Sequence, residues 1–100
     1  MKYIVVKRDG SSVNFEVSKI RDAMEKAFIA VETPVDDSVL ELLSLRVISE
    51  FAGKIENGEI TVEDIQDSVE ITLIQAGFSK VARAYILYRK QRQKARDAVS

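Results

Sequence analysis

Val5-Val6-Lys7-Arg8-Asp9-Gly10-Ser11-Ser12-Val13-Asn14-Phe15-Glu16-Val17-Ser18-Lys19-Ile20 changes character twice along its length. It begins with strand-like alternation and breaks at Asp9-Gly10, a dipeptide that tolerates the positive φ angles of a two-residue turn. Apolar alternation then resumes before the pattern becomes helical. With Asp9 and Gly10 as the loop, Arg8 faces Ser11, Lys7 faces Ser12, Val6 faces Val13 and Ile4 faces Phe15. One face of the hairpin then collects Ile4, Val6, Val13 and Phe15 and can cover a helical core. In this arrangement Lys7 and Arg8 at the turn, and Lys19 in the helix that follows, converge on an anion.

Beyond the hairpin the apolar period is helical. Ile20, Ala23, Met24, Ala27, Phe28 and Val31 form one face of a first helix, expected at 17–31 with Glu16 or Ser18 near its cap. Lys19 falls in the first turn, beside the positive end of the helix dipole, a placement that suits a partner better than it suits the helix. Thr33-Pro34 interrupts the pattern, and acids suited to a helix start follow. A second helix is expected at 37–56, with Leu40, Leu43, Val47, Phe51 and Ile55 inward. Val39, Leu42 and Ile48 widen that stripe, and Asn57-Gly58 is read as the stop. Thr61-Val62-Glu63-Asp64 is close to a capping box and opens a third helix at 62–76, with Ile65, Val69, Thr72, Leu73 and Ala76 inside and Gly77 after it. Ser79 caps a fourth at 79–97, whose inner residues are Val81, Ala84, Tyr85 and Tyr88. Its last turns, Arg89-Lys90-Gln91-Arg92-Gln93-Lys94-Ala95-Arg96, carry no apolar stripe and either project as a basic helix or lead into further chain.

With 100 residues, 46% of them apolar, and no Pro/Gly-rich break, the chain fits one domain, residues 1–100. It has no His and no Cys. Imidazole acid–base chemistry, thiolate nucleophiles, disulfides and Cys/His metal sites are therefore excluded, and no catalytic or metal-binding set is expected. Four scattered glycines form no phosphate-cradling loop. No run of residues reads as a membrane span or a secretory signal, so a cytoplasmic location is the expectation. Charge is segregated: residues 1–31 hold six basic and four acidic side chains, residues 32–70 two and eleven, and residues 71–100 seven and one. Pairing between neighbouring helices is one account of this, and a basic surface assembled from the two ends is the other.

Val6-Lys7-Arg8-Asp9-Gly10, then Phe15 and Lys19-Ile20, then Val62-Glu63-Asp64-Ile65-Gln66 with Val69-Glu70, and finally Val81-Ala82-Arg83-Ala84-Tyr85-Ile86-Leu87-Tyr88-Arg89 together resemble the ATP-cone. This is the nucleotide-binding regulatory module at the N-terminus of many ribonucleotide reductases, also found behind a zinc ribbon in the repressor of their genes. The resemblance implies a mainly α fold, a four-helix bundle capped by a small β-hairpin (about 3–15) or by a three-stranded sheet in which residues 59–62 add the third strand. It implies a non-catalytic allosteric domain that senses ATP as activator and dATP as inhibitor, and that forms the N-terminal part of a longer chain. The partners it implies are a reductase catalytic domain or subunits and a ligand-dependent homo-oligomer. Absence of cysteine speaks against the intact repressor.

By position, the resemblance assigns Val5, Val6, Lys7 and Arg8 to the stretch contacting base and phosphates, Lys19 to the phosphates, and Gln66 to a polar contact. Lys90 is a looser match. Glu16 stands where Asp is frequent in the family, and Val13 where some relatives carry a polar residue near the sugar. Lys7, Arg8 and Lys19 supply the point-charge and forked donors a triphosphate requires, and the flanking apolar surface can bury an adenine. Tyr85 and Tyr88 either pack the fourth helix or stack on a base, packing being the commoner use of such spacing. Arg83 is expected to pair with the acidic middle of the chain. Glu63, Asp64, Asp67 and Glu70 read as a solvated face, one of whose acids could help hold Mg²⁺ on the phosphates. The competing assignment is a helical nucleic-acid- or protein-binding module using the basic C-terminal helix, with nucleic acid the less expected ligand.

Overall fold

Gly10 sets the register of the hairpin. In the computed structural model, which describes residues 3–99 and the side chains of residues 3–95, Gly10 has φ +86° and donates its N–H to the Lys7 carbonyl at 3.0 Å. Lys7 N–H in turn donates to the Ser11 carbonyl at 2.8 Å. The loop is therefore Arg8-Asp9-Gly10, a turn followed by a left-handed glycine, and not the two-residue loop expected from Asp-Gly. Asp9 braces it, its carboxylate accepting from the Ser11 N–H at 2.9 Å and the Ser11 hydroxyl at 2.6 Å. These hydrogen bonds hold the Asp9 carboxyl below the usual carboxylate range.

One extra loop residue reverses the faces. Strand β1 (Ile4–Val6) pairs antiparallel with β2 (Ser12–Asn14) as Ile4–Asn14, Val5–Val13 and Val6–Ser12. Tyr3, Val5, Val13 and Phe15 consequently share the inward face, where Ile4 and Val6 had been expected beside Val13 and Phe15. Tyr3 and Val5 are buried, whereas Ile4 and Val6 are half-buried. A third strand, β3 (Glu59–Thr61), lies parallel to β1 with Val5 opposite Ile60, giving the order β2-β1-β3.

Four helices follow the apolar period: α1 (Val17–Ala30), α2 (Asp37–Phe51), α3 (Val62–Gln75) and α4 (Ser79–Val99). Each packs on its neighbours in the order α1-α2-α3-α4, and α4 closes on α1. The centre is filled by Met24, Phe28, Leu40, Val47, Phe51 and Leu73, all below 2% exposure. Each such side chain contributes about 1.5–3 kcal/mol through burial. Phe15 and Tyr3 sit on Phe51, with ring centroids 5.7 and 6.0 Å away, and so fasten the hairpin to α2. Phe78 does the same for the α3–α4 turn, 4.9 Å from Phe28. Gly77, at φ +88°, ends α3; Gly77 and Phe78 donate to the Ile74 and Leu73 carbonyls.

Three expectations for the middle of the chain change. Helix α2 stops at Phe51 and tightens into a 3₁₀ turn, Ala52–Lys54. Asn57 (φ +52°) and Gly58 (φ +73°) do not cap that helix. They form a two-residue turn in which Glu56 and Glu59 exchange both backbone hydrogen bonds, at 2.9 and 3.0 Å. Leu42 does not widen the buried stripe, since it is 59% exposed on the outer side of α2. Thr61 caps α3 as the sequence implies, its hydroxyl accepting the Asp64 N–H at 3.1 Å. Among the described residues no helix is long and apolar enough to cross a membrane.

Candidate functional site

Because the loop holds three residues, Lys7 has the same parity as Val5 and extends the inward face of the hairpin past its apolar part. That face roofs a cavity of about 200 Å³, walled by β1, β2, α1, α3 and α4. Val5, Val13 and Phe15 form its roof, and Ile20, Ile65 and Tyr85 its floor and sides. Lys7, Asn14, Glu16, Lys19, Gln66 and Arg92 supply its polar groups. Among the described residues, the charged side chains that line it are three cations and one anion. That single carboxylate, Glu16, lies 3.6 Å from the Lys19 ammonium. Both partners are mostly exposed, so the pair is weak and an incoming anion can displace it.

The start of α1 adds to the positive character of the rim. Glu16 has the extended backbone of an N-cap but makes no side-chain capping bond, and the first turn contains no acid. First-turn N–H groups, the positive end of the helix dipole and Lys19 are thus left at one place. On the opposite wall, Arg92 lies over the Tyr88 ring at 5.7 Å from its centroid and donates to the Tyr88 hydroxyl at 3.1 Å. Burial pushes the Tyr85 phenol well above its ordinary value, so it offers a neutral ring and hydroxyl at any physiological pH.

Of the residues singled out from the sequence, Val5, Lys7, Lys19 and Gln66 line this cavity together. Val6 points the other way, into a depression beside β3. Arg8 stands at the hairpin tip, its Nε 3.5 Å from Glu63 Oε1. Lys90 is exposed on α4 and is not among the lining residues. Asn14 and Arg92 belong to the cavity but were not singled out as site residues, and Tyr85 and Tyr88, weighed between packing and stacking on a base, both line it. The spacing of Tyr85, Tyr88 and Arg92 along one helix face carried that signal. Depressions of about 520 and 670 Å³ exist elsewhere, but neither combines the hairpin lysine with the start of α1.

The acidic face of α3 is spoken for. Arg89 Nη1 donates to Asp67 at 2.8 Å and Glu70 at 2.6 Å, and Nη2 donates to Glu63 at 3.0 Å. Burial works against the Arg89 charge, yet the bonds from Asp67, Glu70 and Glu63 outweigh it and raise its pKa further. Glu63 and Asp67 thus keep part of the solvent exposure expected of that face, but all three acids are drawn together onto one guanidinium. Arg83, expected to pair with the acidic middle, makes no ion pair among the described residues and lines the groove between α1 and α4.

A family model, the ATP cone domain, matches residues 3–94, from the residue before β1 into α4. The chain belongs to the ATP-cone family. Over 98 residues it is 39% identical to the ribonucleoside-diphosphate reductase subunit alpha of Chlamydia pneumoniae, covering 92% of this chain and 9% of that protein. The vitamin B12-dependent ribonucleoside-diphosphate reductase of Mycobacterium tuberculosis is 38% identical over 94 residues, covering 94% and 13%. An anaerobic ribonucleoside-triphosphate reductase of Haemophilus influenzae is 39% identical over 93 residues, again 93% of this chain and 13% of the relative. The chain spans about a tenth of the length of these relatives. Their names differ in substrate and cofactor, so the ATP-cone match does not by itself select one kind of reductase.

Proposed function

We propose that this ATP-cone is the nucleotide-sensing regulatory domain of a ribonucleotide reductase, binding ATP as activator and dATP as inhibitor in the cavity under the hairpin. The observation that carries this is the meeting of Lys7 and Lys19 on the rim of one apolar-floored cavity. The enclosed space is below the 300–1,000 Å³ typical of ligand sites. The base therefore occupies the apolar part, and the phosphates lie across the rim against Lys7, Lys19 and the α1 N-terminus. Gln66 and Asn14 are the polar groups available to base and sugar, and Arg8 reaches the phosphates by exchanging Glu63 for them. Mg²⁺ arrives on the nucleotide, because Glu63, Asp67 and Glu70 are engaged by Arg89.

The cone does no chemistry and acts through differential binding to two states of the cytoplasmic enzyme of which it forms the N-terminal part. Its partners are the catalytic region and other copies of the chain, with assembly depending on which nucleotide is bound. ATP and dATP differ by one hydroxyl, worth about 1–3 kcal/mol where a buried partner would otherwise be left unpaired.

Titration calorimetry of the chain with ATP, dATP and GTP tests the site. Saturable binding of the adenine nucleotides is expected, weakened roughly 10- to 150-fold by Lys7→Ala or Lys19→Ala, in line with about 1.5–3 kcal/mol per charged hydrogen bond. Absence of binding, or binding untouched by both substitutions, refutes the assignment. Binding that follows tail charge and falls steeply with salt would support the nucleic-acid alternative instead.

A further inference from the structure

The cavity under the hairpin and the groove between α1 and α4 lie end to end along the same two helices. Lys19, Ile20 and Ala23 of α1 line the cavity of about 200 Å³, and the next turns, with Lys26, Ala27 and Ala30, line the groove of about 520 Å³. Helix α4 runs the opposite way, with Arg92 at the cavity and Lys80, Arg83 and Ala84 at the groove. Among the described residues Tyr88 alone lines both spaces.

The Tyr88 ring is half-buried and held in place. Arg92 lies over it at 5.7 Å and donates to its hydroxyl at 3.1 Å, and the Tyr85 ring stands beside it, with centroids 6.4 Å apart and planes at 40°. Beyond the ring the groove is floored by the small side chains of Ala27, Ala30 and Ala84. One aromatic side chain therefore divides an enclosed space too small for most ligands from a larger open one.

The direction in which a nucleotide lies is that of the functional proposal above, on which this assignment rests. Phosphates against Lys7, Lys19 and the start of α1 leave the base deepest, towards Ala23 and Tyr88. In a purine the atoms farthest from the sugar are those of the six-membered ring and its exocyclic group, and these reach the Tyr88 ring first. We infer that Tyr88 is a specificity-determining residue, the end wall that admits adenine with a free exocyclic amine and excludes a purine enlarged at that amine. The room such a purine needs exists directly behind the ring, so selectivity comes from a clash and not from a missing contact.

Titration calorimetry of the chain with ATP, and with ATP bearing a benzyl group on the exocyclic amine, tests this. The unaltered chain should bind the benzyl analogue about tenfold or more weakly than ATP. Tyr88→Ala should bring the two affinities within about threefold of each other or reverse them, because the benzyl group gains the groove. The ratio is read within each variant, so a general loss of affinity cancels. If circular dichroism shows the alanine variant unfolded, Tyr88→Leu gives the same reading in smaller measure. Tyr88→Phe should keep the discrimination, since the ring and not the hydroxyl is the obstacle. In the alanine variant, amide shifts at Arg83, Ala84 and Leu87 that appear with the analogue and not with ATP place the benzyl group in the groove. An unaltered chain that takes both nucleotides equally, an alanine variant that still refuses the analogue, or a phenylalanine variant that admits it would overturn the role of Tyr88 and leave the nucleotide site standing. A chain that binds neither nucleotide would bring down that site and this assignment with it.

Discussion

Replacing Arg89 with Met keeps much of the aliphatic stem but removes the guanidinium that three carboxylates of α3 surround. Its side chain is 19% exposed, and its partners differ: Glu70 is 23% exposed, Glu63 40% and Asp67 49%. The bond to Glu70, the most enclosed, is worth about 2 kcal/mol as a charged hydrogen bond. The other two are screened by water and contribute about 0.5–1 kcal/mol each. A loss of about 3–4 kcal/mol follows, a large part of the 5–15 kcal/mol typical of a whole domain. Urea unfolding followed by circular dichroism should show the midpoint falling by about 2 M for a slope of about 1.5–2 kcal/mol/M. In a Glu70→Gln background the same replacement should cost about 1–2 kcal/mol less, because the strongest partner has already lost its charge. A loss below about 1 kcal/mol, or costs that simply add, would refute the view that this cluster clasps α3 to α4.

The two buried serines should behave oppositely. Ser68 Oγ is fully enclosed with no hydrogen-bond partner among the described residues, so Ser68→Ala should be neutral or stabilising by up to about 1 kcal/mol. Ser44 Oγ donates to the Leu40 carbonyl at 2.8 Å, so Ser44→Ala should cost about 0.5–1.5 kcal/mol; the reverse order in urea unfolding would count against both statements. Tyr85 predicts an alkaline effect. Burial raises the folded-state pKa above the ordinary 10.0, so below that value its proton is held in both states and stability is unaffected. As pH rises past about 10 the unfolded chain releases the proton first and stability falls. Tyr85→Phe should flatten that decline, and an unchanged slope in unfolding curves between about pH 9 and 11 would remove Tyr85 as its source.

The helices were legible because Ile20, Met24 and Phe28, or Leu40, Leu43 and Val47, can share a buried face in only one regular conformation. The hairpin register was not. Ile4, Val5 and Val6 are all apolar, so β1 carries no parity signal of its own, and Asp-Gly suits a two-residue loop as well as the end of a three-residue one. Asn57-Gly58 misled for a related reason, since left-handed residues both end helices and turn hairpins. Lys7, Lys19 and Gln66 could be named from family resemblance, but only the true register shows why Lys7 faces the cavity. Arg89 was hidden in a basic run, although Glu63, Asp67 and Glu70 repeat at helical spacing and so announced a shared target. Which cation they would choose depends on how α4 lies against α3, and no local pattern encodes that.

Thr61 is both the last residue of β3 and the residue whose hydroxyl caps α3. No connecting segment separates sheet from helix there, so the joint has no slack. If the ribbon of strands tilts, α3 must tilt with it, and the Arg89 clasp carries the strain onward into the long C-terminal helix. The stretch leading into β3 is built differently: the Ala52–Lys54 turn and the Asn57-Gly58 bend each carry a glycine with open space around it.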